Sequence, residues 1–130
     1  MKWFVVDPLQ PAAFAARSAH AFVAPALLLT ELANALWKYV RAGQLELEAA
    51  LADVDLVARE VSRVEDRLLL RAAQRLSADL SHPVYDCLYV SLAQREGVPL
   101  VTADGKLVRK LDGLHGLEVI ELSAYRGAST

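Results

Sequence analysis

Residues 1–10 read Met1-Lys2-Trp3-Phe4-Val5-Val6-Asp7-Pro8-Leu9-Gln10, and the role of Phe4-Val5-Val6-Asp7 decides how the rest is assembled. A short apolar run with two β-branched residues, closed by an acid and a proline, is a reasonable buried strand. On that reading Asp7 stands at the strand's carboxyl end, where it can serve as a metal ligand, and Pro8 opens the next helix. The same letters also fit the last turn of a helix begun upstream, with Asp7 incidental. The choice rests on what the other segments require.

Outward from that stretch, short apolar runs alternate with long helical patterns, which is the signature of an α/β domain built on a parallel sheet. Phe22-Val23-Ala24 is a brief strand closed by Pro25. Leu28, Leu32, Ala35, Leu36, Tyr39 and Val40 then recur at helical spacing, with Gly43 as the stop. Gln44 to about Val57 reads as a second helix and Asp66 to Leu80 as a third. Ser81-His82-Pro83 interrupts, with Pro83 in the first turn of a helix running to Glu96 and stopped by Gly97. Val98 to Val101 reads as a buried strand, Lys106 to Leu111 as a short basic helix, and Leu117 to Leu122 as a last strand. The tail from about Ser123 reads as frayed, and the 130 residues as one domain.

Bulk properties narrow the class. Apolar residues make up 55% of the chain and the mean hydropathy is +0.26, yet the longest apolar stretch, Ala21 to Leu29, is too short to span a bilayer. The first residues make no signal peptide, because Asp7 and Pro8 end the apolar region at once. The single cysteine, Cys87, excludes an internal disulfide and fits a reducing cytoplasm. A net charge of −2 gives no global basic field, so recruitment of nucleic acid would need a local patch.

Acids placed among core formers carry the chemistry. Glu31 lies in the apolar Leu27-Leu28-Leu29-Thr30-Glu31-Leu32, Asp86 in Val84-Tyr85-Asp86-Cys87-Leu88, and Asp104 just after Val101-Thr102-Ala103. A carboxylate in such surroundings is costly unless paired, protonated or bound to metal. Each alone reads most simply as a turn or helix-start acid. In a parallel α/β sheet, however, the ligand site forms outside the carboxyl ends of the strands, and all three can reach that rim. The remedy for clustered carboxylates is a hard divalent cation.

With those segments in view, the chain resembles the PIN-domain ribonucleases, most closely the VapC-type toxins of bacterial toxin–antitoxin pairs. The stretches that carry the likeness are Val23 to Lys38, with Thr30-Glu31-Leu32-Ala33-Asn34 at its centre, then His82-Pro83-Val84-Tyr85-Asp86-Cys87-Leu88-Tyr89, then Val101-Thr102-Ala103-Asp104. The resemblance implies a three-layer Rossmann-like PIN fold, a central parallel sheet flanked by helices. It implies Glu31, Asp86 and Asp104 as metal-site acids, Thr102 as a polar residue helping to hold the site, and hydrolysis of RNA phosphodiesters with Mg²⁺ or Mn²⁺. It also implies an antitoxin protein as partner. In this family a first aspartate ends strand one and is followed by a helix whose later turns often read Lys-Trp-Phe, then an acidic-Pro segment. In that register Lys2-Trp3-Phe4 is a helix tail, strand one is missing, and the chain is an impaired PIN domain acting as a protein-binding module. Against this, the first strand of such a sheet is central. Losing it leaves buried backbone groups unpaired at roughly 1–3 kcal/mol each, set against a domain stability of about 5–15 kcal/mol. Asp7 joins the metal site only if Phe4-Val5-Val6 serves as strand one.

The remaining candidates are weaker. Arg59, Arg63, Arg67, Arg71 and Arg75 recur every fourth residue; such a row drifts by about 40° per step on a helix and reads as a solvated face more readily than an RNA track. Lys106, Arg109 and Lys110 follow Asp104 directly and are the better RNA contacts, with helix C-terminal charge as the competing account. Cys87 reads as core, His82 as a cap or turn residue, and His20 and His115 carry no pattern. Trp37 and Tyr39, with Leu36 and Val40, read as helix packing within the fold or against a partner, and make a homodimer plausible.

Overall fold

The computed structural model describes residues 3–6, 21–114 and 116–121, with side chains from 22 onward. A parallel five-stranded sheet runs in the order β3-β2-β1-β4-β5. Its strands are β1 (Trp3–Val6), β2 (Ala21–Pro25), β3 (Ser62–Val64), β4 (Leu100–Thr102) and β5 (Val119–Glu121). The helices are α1 (Leu27–Arg41), α2 (Leu47–Glu60), α3 (Asp66–Leu80), α4 (Val84–Glu96) and α5 (Gly105–Leu111).

The opening stretch is a strand. Trp3, Phe4 and Val5 pair with Ala21, Phe22 and Val23 on one side, while Val5 and Val6 pair with Leu100 and Val101 on the other. The helix-tail register is thereby overturned, because β1 fills the middle of the sheet and satisfies the ladder groups that two facing strands would otherwise leave unpaired. From β1 the chain reaches β2 on one flank and β4 on the other, so the switch in strand order falls between β1 and β4. In an open parallel sheet such a switch leaves a crevice for ligand outside the carboxyl ends of the two strands. Asp7, the next residue after Val6 in the chain, lies outside the described residues.

Helix α4 is the spine of the core. Cys87 through Ala93 are all buried, and the helix packs on α3, β1, β2 and β4. An element buried on every side shows no amphipathic stripe, which is why Asp86 looks so anomalous in sequence. Pro83 stands just before the helix as its N-cap, one position outside the first turn expected of it. Gly97, with φ +65°, takes the left-handed turn that ends it.

Two local expectations fail. Strand β3 goes unread in the sequence, since three residues between two helices, with Ser62 and Arg63 exposed, give neither alternation nor an apolar run. Its insertion also breaks the arginine row: Arg59 closes α2, Arg63 sits in β3, and Arg67, Arg71 and Arg75 belong to α3. Arg63 turns back on its own loop, donating from Nη1 to the carbonyls of Ala58 at 2.8 Å and Val61 at 3.0 Å. The second helix starts at Leu47, because residues 42–46 form a turn after α1. His20, His115 and the tail from Ser123 lie outside the described residues.

Candidate metal centre

Two loops build the rim of the β1–β4 crevice. After β4 the chain turns at Ala103-Asp104, where the buried Thr102 accepts the Asp104 backbone N–H on Oγ1 at 3.1 Å. Asp104 then caps α5, its Oδ1 accepting N–H bonds from Lys106 at 3.0 Å and Leu107 at 3.2 Å. Two charge-assisted bonds fix one carboxylate oxygen and leave Oδ2 facing the crevice.

The other loop joins α3 to α4. Ser81 adopts φ 52°, ψ 51°, a left-handed conformation costing a side-chain-bearing residue on the order of 1–3 kcal/mol. The Ser77 hydroxyl donates to the His82 carbonyl and the His82 N–H to the Ser77 carbonyl, which holds the turn. The turn aims His82 inward, 7% exposed, so that its Nε2 lies 2.7 Å from Asp86 Oδ2 and 3.8 Å from Asp104 Oδ2. One ligand atom from each of His82, Asp86 and Asp104 falls within 4.8 Å of the others.

Glu31, in the second turn of α1, stands beside this group rather than in it. Its Oε1 accepts a 2.5 Å hydrogen bond from the hydroxyl of the buried Tyr89. Burial raises the Glu31 pKa above the ordinary glutamate value; the Tyr89 bond opposes this, and the charges of Asp86 and Asp66 add to it. Asp66, at the start of α3, meanwhile accepts the Leu27 N–H on Oδ1 at 3.1 Å and so caps α1.

Hard oxygen donors such as these, with burial and like charge pressing on Glu31, suit a hard divalent cation. Asp86, Asp104 and Thr102 thus come together as expected from sequence, and Glu31 lies within electrostatic reach of Asp86. His82 joins the group although the sequence reads it as a cap or turn residue, while Asp66 reaches the site only at Glu31, through its charge. The spacing of His82 to Asp86, one helical turn across Pro83, was the available signal for His82. Of the three basic residues after Asp104, Lys110 bonds the Ser81 carbonyl through Nζ at 2.7 Å and His82 Nδ1 at 3.2 Å, while Lys106 and Arg109 are exposed. Cys87 is fully buried, and its thiol pKa is pushed up by burial and by Asp86, with Lys110 opposing, so it is a poor nucleophile.

Residues 5–113 match the family model described as the PIN domain. The chain belongs to the PIN-domain family. The matched range opens inside β1 and takes in Asp7 together with Glu31, Asp86, Thr102 and Asp104. Over 94 residues this PIN domain is 31% identical to exonuclease VapC9 of Pyrobaculum aerophilum, covering 72% of this chain and 70% of that protein, which makes it VapC-type. A crystal structure of PAE2754, also from Pyrobaculum aerophilum, superposes with a TM-score of 0.68 at 26% identity, covering 95% of this chain and 98% of that one. VapBC-5 from Mycobacterium tuberculosis gives 0.61 at 17% identity, covering 93% and 99%. DNA-bound VapBC from Salmonella typhimurium gives 0.59 at 17%, covering 94% and 99%. These last two share the fold. The α/β class and the PIN architecture expected from the sequence are borne out.

Proposed function

We propose that this PIN domain is a metal-dependent endoribonuclease and the toxin of a toxin–antitoxin pair, working in the cytoplasm. The observation that carries the reading is the meeting of Asp86 and Asp104 at the β1–β4 crevice, where one oxygen of each lies within 4.8 Å of the other and of a His82 ring nitrogen. Asp86 and Asp104 would hold Mg²⁺ or Mn²⁺, with Glu31 and Asp7 completing the set. When bound, such a cation neutralises charge on phosphoryl oxygens and lowers the pKa of a coordinated water. The chain's own part is placement. Thr102 and the α5 N-terminus lock Asp104, and Tyr89 holds Glu31. Lys106 and Arg109, exposed just beyond Asp104, would take the RNA backbone.

The cognate antitoxin is the proposed protein partner, and a homodimer the proposed assembly. Both need exposed apolar surface, and the α1–α2 pair supplies it through Trp37, Tyr39, Leu47 and Leu51. The non-enzymatic reading loses its premise, since a first strand stands in the sheet with an aspartate next in the chain. Among the described residues no helix is long and apolar enough to cross a membrane.

The test is cleavage of linear and circular RNA by the purified chain with Mg²⁺ or Mn²⁺, with chelator, and with Asp86→Asn. Metal-dependent cutting of both substrates, lost in the variant, is expected. Cutting of linear RNA alone would make the enzyme an exonuclease, the activity in the name of its Pyrobaculum relative. Cleavage indifferent to chelator and to Asp86→Asn would overturn the metal-site assignment.

A further inference from the structure

His82 is buried at the rim, and the chemistry above gives it no task. Its hydrogen bonds determine its state. Lys110 Nζ lies 3.2 Å from Nδ1, and an ammonium can only donate, so Nδ1 must be the accepting nitrogen. The ring proton is then on Nε2, which lies 2.7 Å from Asp86 Oδ2, an acceptor. An Nε2 that carries a proton has no lone pair to offer a cation. The same Nε2 sits 3.8 Å from Asp104 Oδ2, between a carboxylate on the first turn of α4 and one on the loop after β4. The bond also engages Oδ2 of Asp86 and leaves Oδ1 outside it, much as the α5 cap engages Oδ1 of Asp104 and leaves Oδ2. Lys110 is itself anchored on the Ser81 carbonyl, inside the strained turn that carries His82.

We propose that His82 is a positioning residue and not a metal ligand: Lys110 fixes it as the Nε2–H tautomer, and it orients the Asp86 carboxylate so that Asp86 and Asp104 take one divalent cation together. This rests on the metal-site reading of the preceding subsection and adds the device that organises the site. Partners of this kind, one shell out from the ligands, typically cost 10–100-fold in metal affinity when removed.

The test is Mn²⁺ binding to the full chain, followed by electron paramagnetic resonance. The Mn²⁺ complex should show no directly coordinated imidazole nitrogen in its electron spin-echo modulation. Lys110→Met should weaken Mn²⁺ binding by about tenfold, although removing a cation beside the site would by charge alone strengthen it. His82→Gln, whose amide N–H can still donate, should keep most of the affinity that His82→Ala loses. His82→Ala opens a cavity, so its folded fraction is checked by circular dichroism, and the spectroscopic and Lys110→Met arms stand without it. A coordinated imidazole nitrogen, or tighter Mn²⁺ binding by Lys110→Met, would overturn the proposal. A chain that binds no Mn²⁺ at all would bring down the metal-site reading beneath it.

Discussion

The β1–β4 rim and the α1–α2 pair break the rule of apolar inside and polar outside in opposite ways. At the rim, His82 and Thr102 are buried and Asp86, Asp104 and Glu31 half-buried, and bonds to Thr102, Lys110, Tyr89 and the α5 backbone hold the set. On α1 and α2, large apolar residues stand in solvent instead: Trp37 is 50% exposed, Tyr39 53% and Leu47 57%. Behind them Ala33, Leu36, Val40 and Val54 line a shallow apolar groove between the helices. The difference lies in the supporting structure. Polar groups held against a packed core are fixed in place, which suits a site that must present oxygens in set directions. Apolar groups left in water gain by being covered, which suits a surface awaiting a partner.

If the rim is the chemical centre, the largest effect belongs to Asp86→Asn, which should bring RNA cleavage to background while leaving the circular dichroism spectrum unchanged. Thr102→Val keeps the volume but leaves the half-buried Asp104 N–H without that acceptor. It should cost about 1–3 kcal/mol in a denaturant melt and reduce cleavage with it. Unchanged stability would show that the Thr102 bond does not hold the rim.

Glu31 gives a pH signature that the apolar pair cannot. Its folded pKa is raised, so between the unfolded and folded values the native chain binds more protons than the unfolded one. Stability contributed at low pH is therefore lost as pH rises through that window, and stays lost above it. With chelator present, Glu31→Gln should melt close to wild type at about pH 4 and above it at about pH 7. A variant less stable than wild type at the higher pH would contradict the burial and charge account of Glu31. The smallest effect on the domain itself is expected from Trp37→Ala, which removes an Arg41–Trp37 cation–π contact at 4.7 Å. It should cost no more than about 1 kcal/mol and leave cleavage intact, while weakening capture of the antitoxin. Lost cleavage would mean that the two regions are not independent.

Much of this division is legible in the sequence. Helices α1, α3 and α4 announce themselves by apolar spacing, Pro83 and Gly97, and Asp86 and Asp104 by acids set in apolar frames. Strand β1 was ambiguous because four residues suit a strand or a helix tail, and only pairing on both sides decides it. Strand β3 left no signal because it is three residues long at a sheet edge. His82 was underrated because burial and an inward aim come from the left-handed Ser81 turn, a backbone feature that no residue type there advertises. The ties of Lys110 to Ser81 and His82 are equally hidden in the sequence, because those partners lie far back in the chain.

The central claim, that the β1–β4 rim holds a divalent cation between Asp86 and Asp104, is tested most directly by anomalous diffraction from crystals of the chain soaked in Mn²⁺. An anomalous peak bonded to the carboxylates of Asp86 and Asp104, with Asp7 and Glu31 beside it and His82 one shell out, is the result this account predicts. A strong peak elsewhere, or an empty rim in crystals that bind Mn²⁺ at other acids, would contradict it.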